Sequence, residues 1–418
     1  MFDAGITLPR VALVRQRFAT EAIESIPDAV QAAAAASGVS ARLKAGSSVA
    51  ITAGSRGIAH IPTILASLVT VLRDLGADPF IVPAMGSHGG ATAPGQREVL
   101  DGYGITEASV GAPVRASMEV VQLGTTPNGA PVFMDRIAAQ ADGIVVAARI
   151  KPHTGFRASI ESGLCKMLAV GLGKQRGADS MHAHGLAETI PQAAEVALRA
   201  APVIMGLGIV ENALDQPYRL VGIAPEQFHE TDRELLQIAN GLLPRIPFEQ
   251  LDVLVIDWIG KNISGSGMDP NVIGMWRRLG GERRPDYRRI VVRDVTPESH
   301  GNALGIGWAD FTTRRLVDQI DYQAMYMNCL TANAPEVGRV PITLETDREA
   351  IGIALKTALA SPQPRLARVH STLRLEQFHV SEALLPEVKD HPRLEVVADA
   401  VPMQFDDAGG LLPAPDLG

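Results

Sequence analysis

Between residues 45 and 240, short runs of Val, Ile and Ala alternate with segments whose apolar positions recur every three or four residues. The first kind reads as strand, the second as amphipathic helix. "SSVAITAG" (47–54), "DPFIVPAM" (78–85), "MEVVQLG" (118–124), "DGIVVAARI" (142–150) and "PVIMGLGIV" (202–210) are the expected strands. "IPTILASLVTVLRDLG" (61–76) and "LAETIPQAAEVALRAA" (186–201) are expected helices, and the alanine run at 32–36 reads as helix too. Strands that are apolar at nearly every position are buried on both faces. In β-α alternation this means a parallel sheet covered by helices.

Periodicity is lost in "NGLLPRIPFEQ" (240–250) and then restarts. "LDVLVID" (251–257), "RRIVVRDV" (288–295) and "LARVHST" (366–372) read as strands, and "REAIGIALKTALAS" (348–361) as a helix. The expectation is an α/β protein of two domains, 1–247 and 248–399, each with a mainly parallel sheet covered by helices. The active site is expected in the cleft between them. The Pro/Gly-rich tail, 400–418, is expected to run back onto the first domain.

The segments after the strands carry the polar chemistry. "VAITAG" leads into Ser55-Arg56-Gly57, "PFIVPAM" into Gly86-Ser87-His88-Gly89-Gly90, and "GIVVAARI" into Lys151-Pro152-His153-Thr154-Gly155. In the second domain "LDVLVID" leads towards Lys261 and Asn262, and "RRIVVRDV" towards His300. Parallel strands share a carboxyl edge, and ligands bind there. His88 and His153 read either as loop histidines or as a pair of bases on opposite sides of a substrate. Arg56 reads as a surface ion pair or as a planar clamp for a carboxylate.

Lys166 stands in the apolar string Leu164-Cys165-Lys166-Met167-Leu168. It is either a snorkelling lysine or an amine made nucleophilic by lost hydration, able to serve as a covalent anchor. "MHAHG" offers His182 and His184; in an extended segment both could share a metal, whereas on a helix they point about 200° apart and only one could ligate. "GLGKQRG" (171–177) looks like a glycine-rich phosphate loop with Lys174 and Arg176 beside it, although it does not follow the first strand of a dinucleotide-binding unit.

Charge and composition narrow the partners. A formal net charge of −8 offers no basic face for nucleic acid. No apolar run reaches the roughly 18 residues of a membrane helix, and the first residues lack a signal-peptide core. Two cysteines, Cys165 and Cys329, imply no disulfide framework. A cytoplasmic protein acting on a small molecule is the expectation, without a nucleic-acid or membrane partner.

Taken in order, Arg56 after a core strand, the G-S-H loop at His88, P-H-T-G-F at His153, S-G-L-C-K at Lys166 and a histidine sixteen residues on at His182 resemble the nickel-dependent lactate racemase family. The resemblance covers most of 45–215. It implies a 2-hydroxy acid racemase or epimerase carrying a nickel-pincer nucleotide, loaded by cofactor-biosynthesis proteins. Lys166 would anchor the cofactor through a thioamide and His182 would ligate nickel, with His184 in reserve. Square-planar nickel suits such soft donors. His88 and His153 would be the acid/base pair, and Arg56 would hold the substrate carboxylate or orient a base. The family's Asp three residues before the arginine is Ala53 here, and its Tyr-Gln-x-x-Lys motif is absent, with "DWIGKNISGSGMDPN" offering Lys261 and Asn262 in its place. That departure points to a longer, hydroxylated or acidic 2-hydroxy acid rather than lactate. The competing expectations are a metal-dependent hydrolase on His182, His184 and His153, and a small-acid binding protein closing on Arg56.

Overall fold

Strands Ser48–Ala53, Asp78–Pro83, Gly143–Arg149 and Val203–Glu211 pair in parallel, as their continuous apolar character requires, and Pro217–Ile223 joins them antiparallel. A computed structural model describes residues 7–55, 57–359 and 362–413. The chain divides into two units, one spanning Ala19–Leu243 and the other combining the segment up to Phe18 with everything from Pro244.

In the first unit the order across the sheet is Asp78–Pro83, Ser48–Ala53, Gly143–Arg149, Val203–Glu211, Pro217–Ile223. Alternation decides the faces. Val49, Ile51, Val145 and Leu207 pack against helices Ile26–Ser37 and Ile61–Asp74, while Ala50, Val82, Ile144 and Val146 pack against helices Leu186–Ala200 and Phe228–Leu242. The expected strand at 118–124 forms at Val120–Thr125, but outside this sheet. It makes a separate antiparallel pair with Pro131–Asp135, its residues only partly buried. A half-exposed strand has no place in a sheet covered on both faces.

Among the described residues, the sheet of the second unit has eight strands. Gln250–Ile259, Asp286–Val295, Phe311–Thr313, Ile342–Leu344 and Leu366–Val369 pair in parallel; Gln377–Ser381, Arg10–Gln16 and Leu394–Pro402 extend the sheet antiparallel. The expected domain 1–247 is corrected at both ends. Arg10–Gln16, with Ala12 and Val14 fully buried, finds partners in Gln377–Ser381 and Leu394–Pro402, which supply the ladder on both its edges. The tail is corrected as well. It docks on its own unit: Leu411 N–H donates to Asp347 Oδ2 at 2.8 Å, and the carbonyls of Leu411 and Leu412 accept from Arg293 (2.7 Å) and Arg368 (3.1 Å). Those arginines also pair with the buried Asp257, so the tail satisfies donors that would otherwise be stranded in the core. No helix among the described residues is long and apolar enough to cross a membrane.

Candidate active site

The order of the five-stranded sheet creates a switch point. From Ser48–Ala53 the chain moves outward to Asp78–Pro83; from Gly143–Arg149 it moves the other way, to Val203–Glu211. Between the carboxyl ends of Ser48–Ala53 and Gly143–Arg149 the connecting loops part, which is where such sheets bind ligands. Ser55 follows one of these strands and His153 the other, while His88 follows the next strand out. Arg56 lies outside the described residues.

His88 sits in a glycine-built turn. Gly86, Gly89 and Gly90 all have φ near +60 to +67°, and a Cβ on Gly89 would stand 2.5 Å from Gln96 N. Only glycine allows that approach. The turn is held from inside by Gln96, whose Nε2 donates to Gly86 O at 2.8 Å and to His88 O at 3.3 Å. The exposed His88 ring hydrogen-bonds through Nδ1 to Ser55 Oγ, and Tyr103 donates to the Ser55 carbonyl at 3.0 Å. The loops of two neighbouring strands are thereby joined at this histidine.

His153 belongs to a closed loop. Lys151 and Ser162 exchange backbone hydrogen bonds (3.1 and 3.3 Å) at its neck. Glu161, 3% exposed, braces the interior: Oε2 accepts from His153 N at 2.6 Å and from Arg157 Nη1 at 3.3 Å, and Oε1 accepts from Ala158 N at 3.2 Å. Gly155 N donates to His153 Nδ1 at 2.9 Å, and the ring lies 4.5 Å from that of Phe156.

Past Ser162 the chain enters the short helix Leu164–Lys166 and then a π-helical turn, Met167–Gly171. π-turns inside helices recur at functional sites. The unpaired N–H groups at this helix start are satisfied by a distant residue. Asp232 accepts from Leu164 N (2.9 Å) and Cys165 N (2.8 Å), and burial raises its pKa while these two bonds oppose the rise. A Cβ on Gly163 would come 2.4 Å from Asp232 Oδ1, so the junction needs glycine. The π-turn packs beneath the strand-end loops: a Cβ on Gly54 would meet Met167 Cε at 3.3 Å, and Gly86 N donates to Gly171 O at 3.1 Å.

Lys166 is half-buried. His182 lies in the last turn of helix Lys174–Ala183, and its pKa is lowered, first by crowding from neighbouring atoms and then by the Lys166 charge, with Asp179 opposing. The residue retains an exposed surface. The structure thus brings amine and imidazole within Coulombic reach and favours the neutral ring, the form that ligates metal. His184 caps the same helix with Nδ1 2.9 Å from Ser180 O. The described residues contain no group of three or more His, Cys, Asp or Glu placed to hold a metal, so a hydrolase on His182, His184 and His153 finds no ligand set among them. One amine beside one imidazole does fit a tethered cofactor that brings its own remaining donors.

Lys174 departs from expectation. Its side chain is fully buried, paired with Asp135 at 3.0 Å and donating to Pro83 O (2.5 Å) and Gln96 Oε1 (3.0 Å). The "GLGKQRG" glycines serve close packing of the π-turn against the helix, and the ammonium is spent inside the core. Arg176 is exposed and stacks 4.2 Å above the Phe133 ring. In the second unit Lys261 Nζ donates to Gly265 O at 2.6 Å, Asn262 Oδ1 accepts from Thr296 Oγ1 at 2.6 Å, and His300 ends a 3-10 turn at φ 47°. Sequence reasoning missed Ser55, Tyr103, Glu161, Asp232 and the half-buried Arg149–Glu211 pair. Glu161, eight residues after His153, left a local signal; Asp232, on a remote helix, left none.

A family model described as the lactate racemase N-terminal domain matches residues 11–192. Over that span, less than half of the chain, the sequence is similar to the lactate racemase family. The match takes in His88, His153, Lys166 and His182. Among solved structures, the chain is similar to the lactate racemase apoprotein from Thermoanaerobacterium thermosaccharolyticum, with 15% identity over 82% of this chain and 90% of that chain and a TM-score of 0.47. No curated protein matches the chain. Within the matched span, His88 and His153 lie on strand-end loops at one sheet edge, and Lys166 lies at the start of the π-turn packed beneath the loops of Gly54 and Gly86.

Proposed function

We propose that the protein is an isomerase that inverts Cα of a 2-hydroxy acid, using a nickel-pincer nucleotide attached to Lys166 with His182 as the protein's nickel ligand. The observation that carries this reading is that His153, on a loop at the sheet's switch point, and His88, on the next strand's loop and tied to Ser55, share one sheet edge, with the Lys166 turn packed against Gly54 and Gly86. When bound, the cofactor supplies the metal and the acceptor and donor of hydride at Cα. The chain's own residues handle charge and geometry. His88 and His153 each exchange a proton with the substrate hydroxyl, one for each face of the flat 2-keto acid. Arg56 holds the carboxylate or orients a base. Asp232 fixes the start of the Lys166 helix, and crowding, then the Lys166 charge, lower the His182 pKa towards the neutral ring that ligates metal. Lys261 and Asn262 would contact the extra polar groups of a substrate longer or more acidic than lactate.

Loading requires cofactor-biosynthesis proteins, so the test is made on protein coexpressed with them. Nickel near one equivalent, an added mass on the Lys166 peptide, and inversion of a 2-hydroxy acid at C2 without NAD, read by chiral chromatography, are expected. Lys166→Arg is expected to lose both mass and metal. Loaded-host protein with neither nickel nor an adduct on Lys166 refutes the reading.

A further inference from the structure

One buried amide joins the His88 turn to the segment that carries Lys166 and His182. Lys174 opens helix Lys174–Ala183, whose last turn holds His182, and it closely follows the π-turn Met167–Gly171. Its Nζ donates to Pro83 O at 2.5 Å, at the end of the strand before the His88 turn, and to Gln96 Oε1 at 3.0 Å, with Asp135 as counter-ion at 3.0 Å. Gln96 is fully buried, and its neighbours fix its amide from both ends. An ammonium only donates, so it takes the oxygen. The carbonyls of Gly86 and His88 only accept, so they take the two N–H bonds, at 2.8 and 3.3 Å. The reverse orientation would set N–H against ammonium and oxygen against two carbonyls. The turn itself is permissive, with Gly86, Gly89 and Gly90 all at positive φ, so a fixed donor beneath it has something to decide. The turn also rests on the π-turn and helix: Gly86 N donates to Gly171 O at 3.1 Å, and a Cβ on Gly86 would stand 3.7 Å from Ala178 Cβ.

Resting on the 2-hydroxy acid reading above, we propose that Gln96 is a positioning residue for His88, oriented by Lys174 so that the His88 turn keeps its register on the segment carrying Lys166 and His182. Proton exchange with a substrate hydroxyl needs the imidazole within hydrogen-bond reach, and a misplacement of about 1 Å is enough to cost a large part of the rate. Gln96 touches neither the substrate nor the ring. It acts by holding the two carbonyls on either side of Ser87, and so the backbone from which His88 projects.

Gln96→Met removes both N–H bonds at similar length, while Lys174 keeps Pro83 and Asp135. Hydrogen exchange of the apoprotein, followed by NMR, is expected to speed about tenfold at the Ala91 and Thr92 amides, which bond within the turn to Ser87 O and Gly89 O. Helix Lys174–Ala183 should keep most of its protection, and the nuclear Overhauser contact between the His88 ring and Ser55 should weaken. Gln96→Glu keeps the oxygen for Lys174 and, when its carboxyl is protonated, returns one donor to the turn. At low pH its turn should therefore be better protected than that of Gln96→Met at the same pH, with the ring contact restored. A Gln96→Met protein with native exchange at Ala91 and Thr92 overturns the proposal. So does a His88 ring that keeps its Ser55 contact while the turn exchanges freely, or a Gln96→Glu turn no better protected than that of Gln96→Met. Should the variants fail to fold, the native Gln96 side-chain amide decides: two separate, slowly exchanging signals support the proposal, and averaged, fast-exchanging signals overturn it. Every measurement is made without cofactor or substrate. Gln96 can thus hold the turn in a protein that inverts no 2-hydroxy acid, and a failure here leaves that reading to its own nickel and mass test.

Discussion

Lys174→Met tests whether this buried lysine is a structural ion or a cofactor contact. The residue is fully buried at φ 55°; its ammonium is ion-paired with Asp135 Oδ2 and donates to Pro83 O and Gln96 Oε1. Methionine keeps the length, and as neither residue is glycine the backbone strain cancels in the comparison. What remains is a carboxylate at 0% exposure without its counter-charge. Breaking such a pair from one side costs about 3–5 kcal/mol. Asp135→Asn added to Lys174→Met removes the stranded charge, and its amide oxygen can still accept from Ala138 N, which Oδ1 does now at 3.0 Å. The double variant should recover about half, leaving about 1–3 kcal/mol for the unsatisfied Pro83 carbonyl and Gln96. Urea unfolding of the apoprotein, followed by circular dichroism, gives both values. A single-variant loss below about 1 kcal/mol, or a double variant no more stable than the single, refutes the stranded-charge argument. Normal stability combined with lost cofactor retention would restore Lys174 to the phosphate role expected from the sequence.

Burial, and then the Arg368 charge, lower the His379 pKa to about 4 from the usual 6.5. The native ring stays neutral while the unfolded chain takes up its proton, so stability should fall as pH drops from about 6.5 to about 4 and level off below. The loss amounts to about 3 kcal/mol and should vanish from the pH profile in His379→Gln. Asp232→Ala strands the Leu164 and Cys165 N–H groups; calorimetry should show a loss of about 2–4 kcal/mol, with Lys166 loading impaired as its helix start loosens. Gly163→Ala places a methyl against the Asp232 carboxylate and should cost about 1–3 kcal/mol by the same measurement. Ending the chain after residue 403 removes the Leu411 and Leu412 contacts to Asp347, Arg293 and Arg368 and should destabilise the second unit by about 2–4 kcal/mol in hydrogen-exchange measurements, with the Ala19–Leu243 unit unchanged.

The sequence disclosed what is local and withheld what is distant. Continuous apolar runs marked the central strands because burial on both faces leaves no polar position to confuse the reading, and the residues after each strand marked the site because parallel strands end on one edge. Arg10–Gln16 was invisible as part of the second unit, since nothing in seven residues names partners nearly 400 positions away. Lys174 was misread for a related reason: glycines beside a lysine suggest a phosphate loop, but the acceptors that consume its charge come from positions 83, 96 and 135. The same limit applies to Lys166. Its apolar neighbours could not separate a snorkelling side chain from the anchor proposed above, because the difference is one of placement, and the structure puts this half-buried amine on a turn beneath two strand-end loops, its helix start held by a carboxylate 66 residues onward and its charge felt by His182. A snorkelling lysine needs only a path to water. A turn pinned at its first two N–H groups by a buried carboxylate is stiff, and stiffness at that position is what a covalent tether requires if the attached group is to stay registered against His88 and His153 through repeated turnovers.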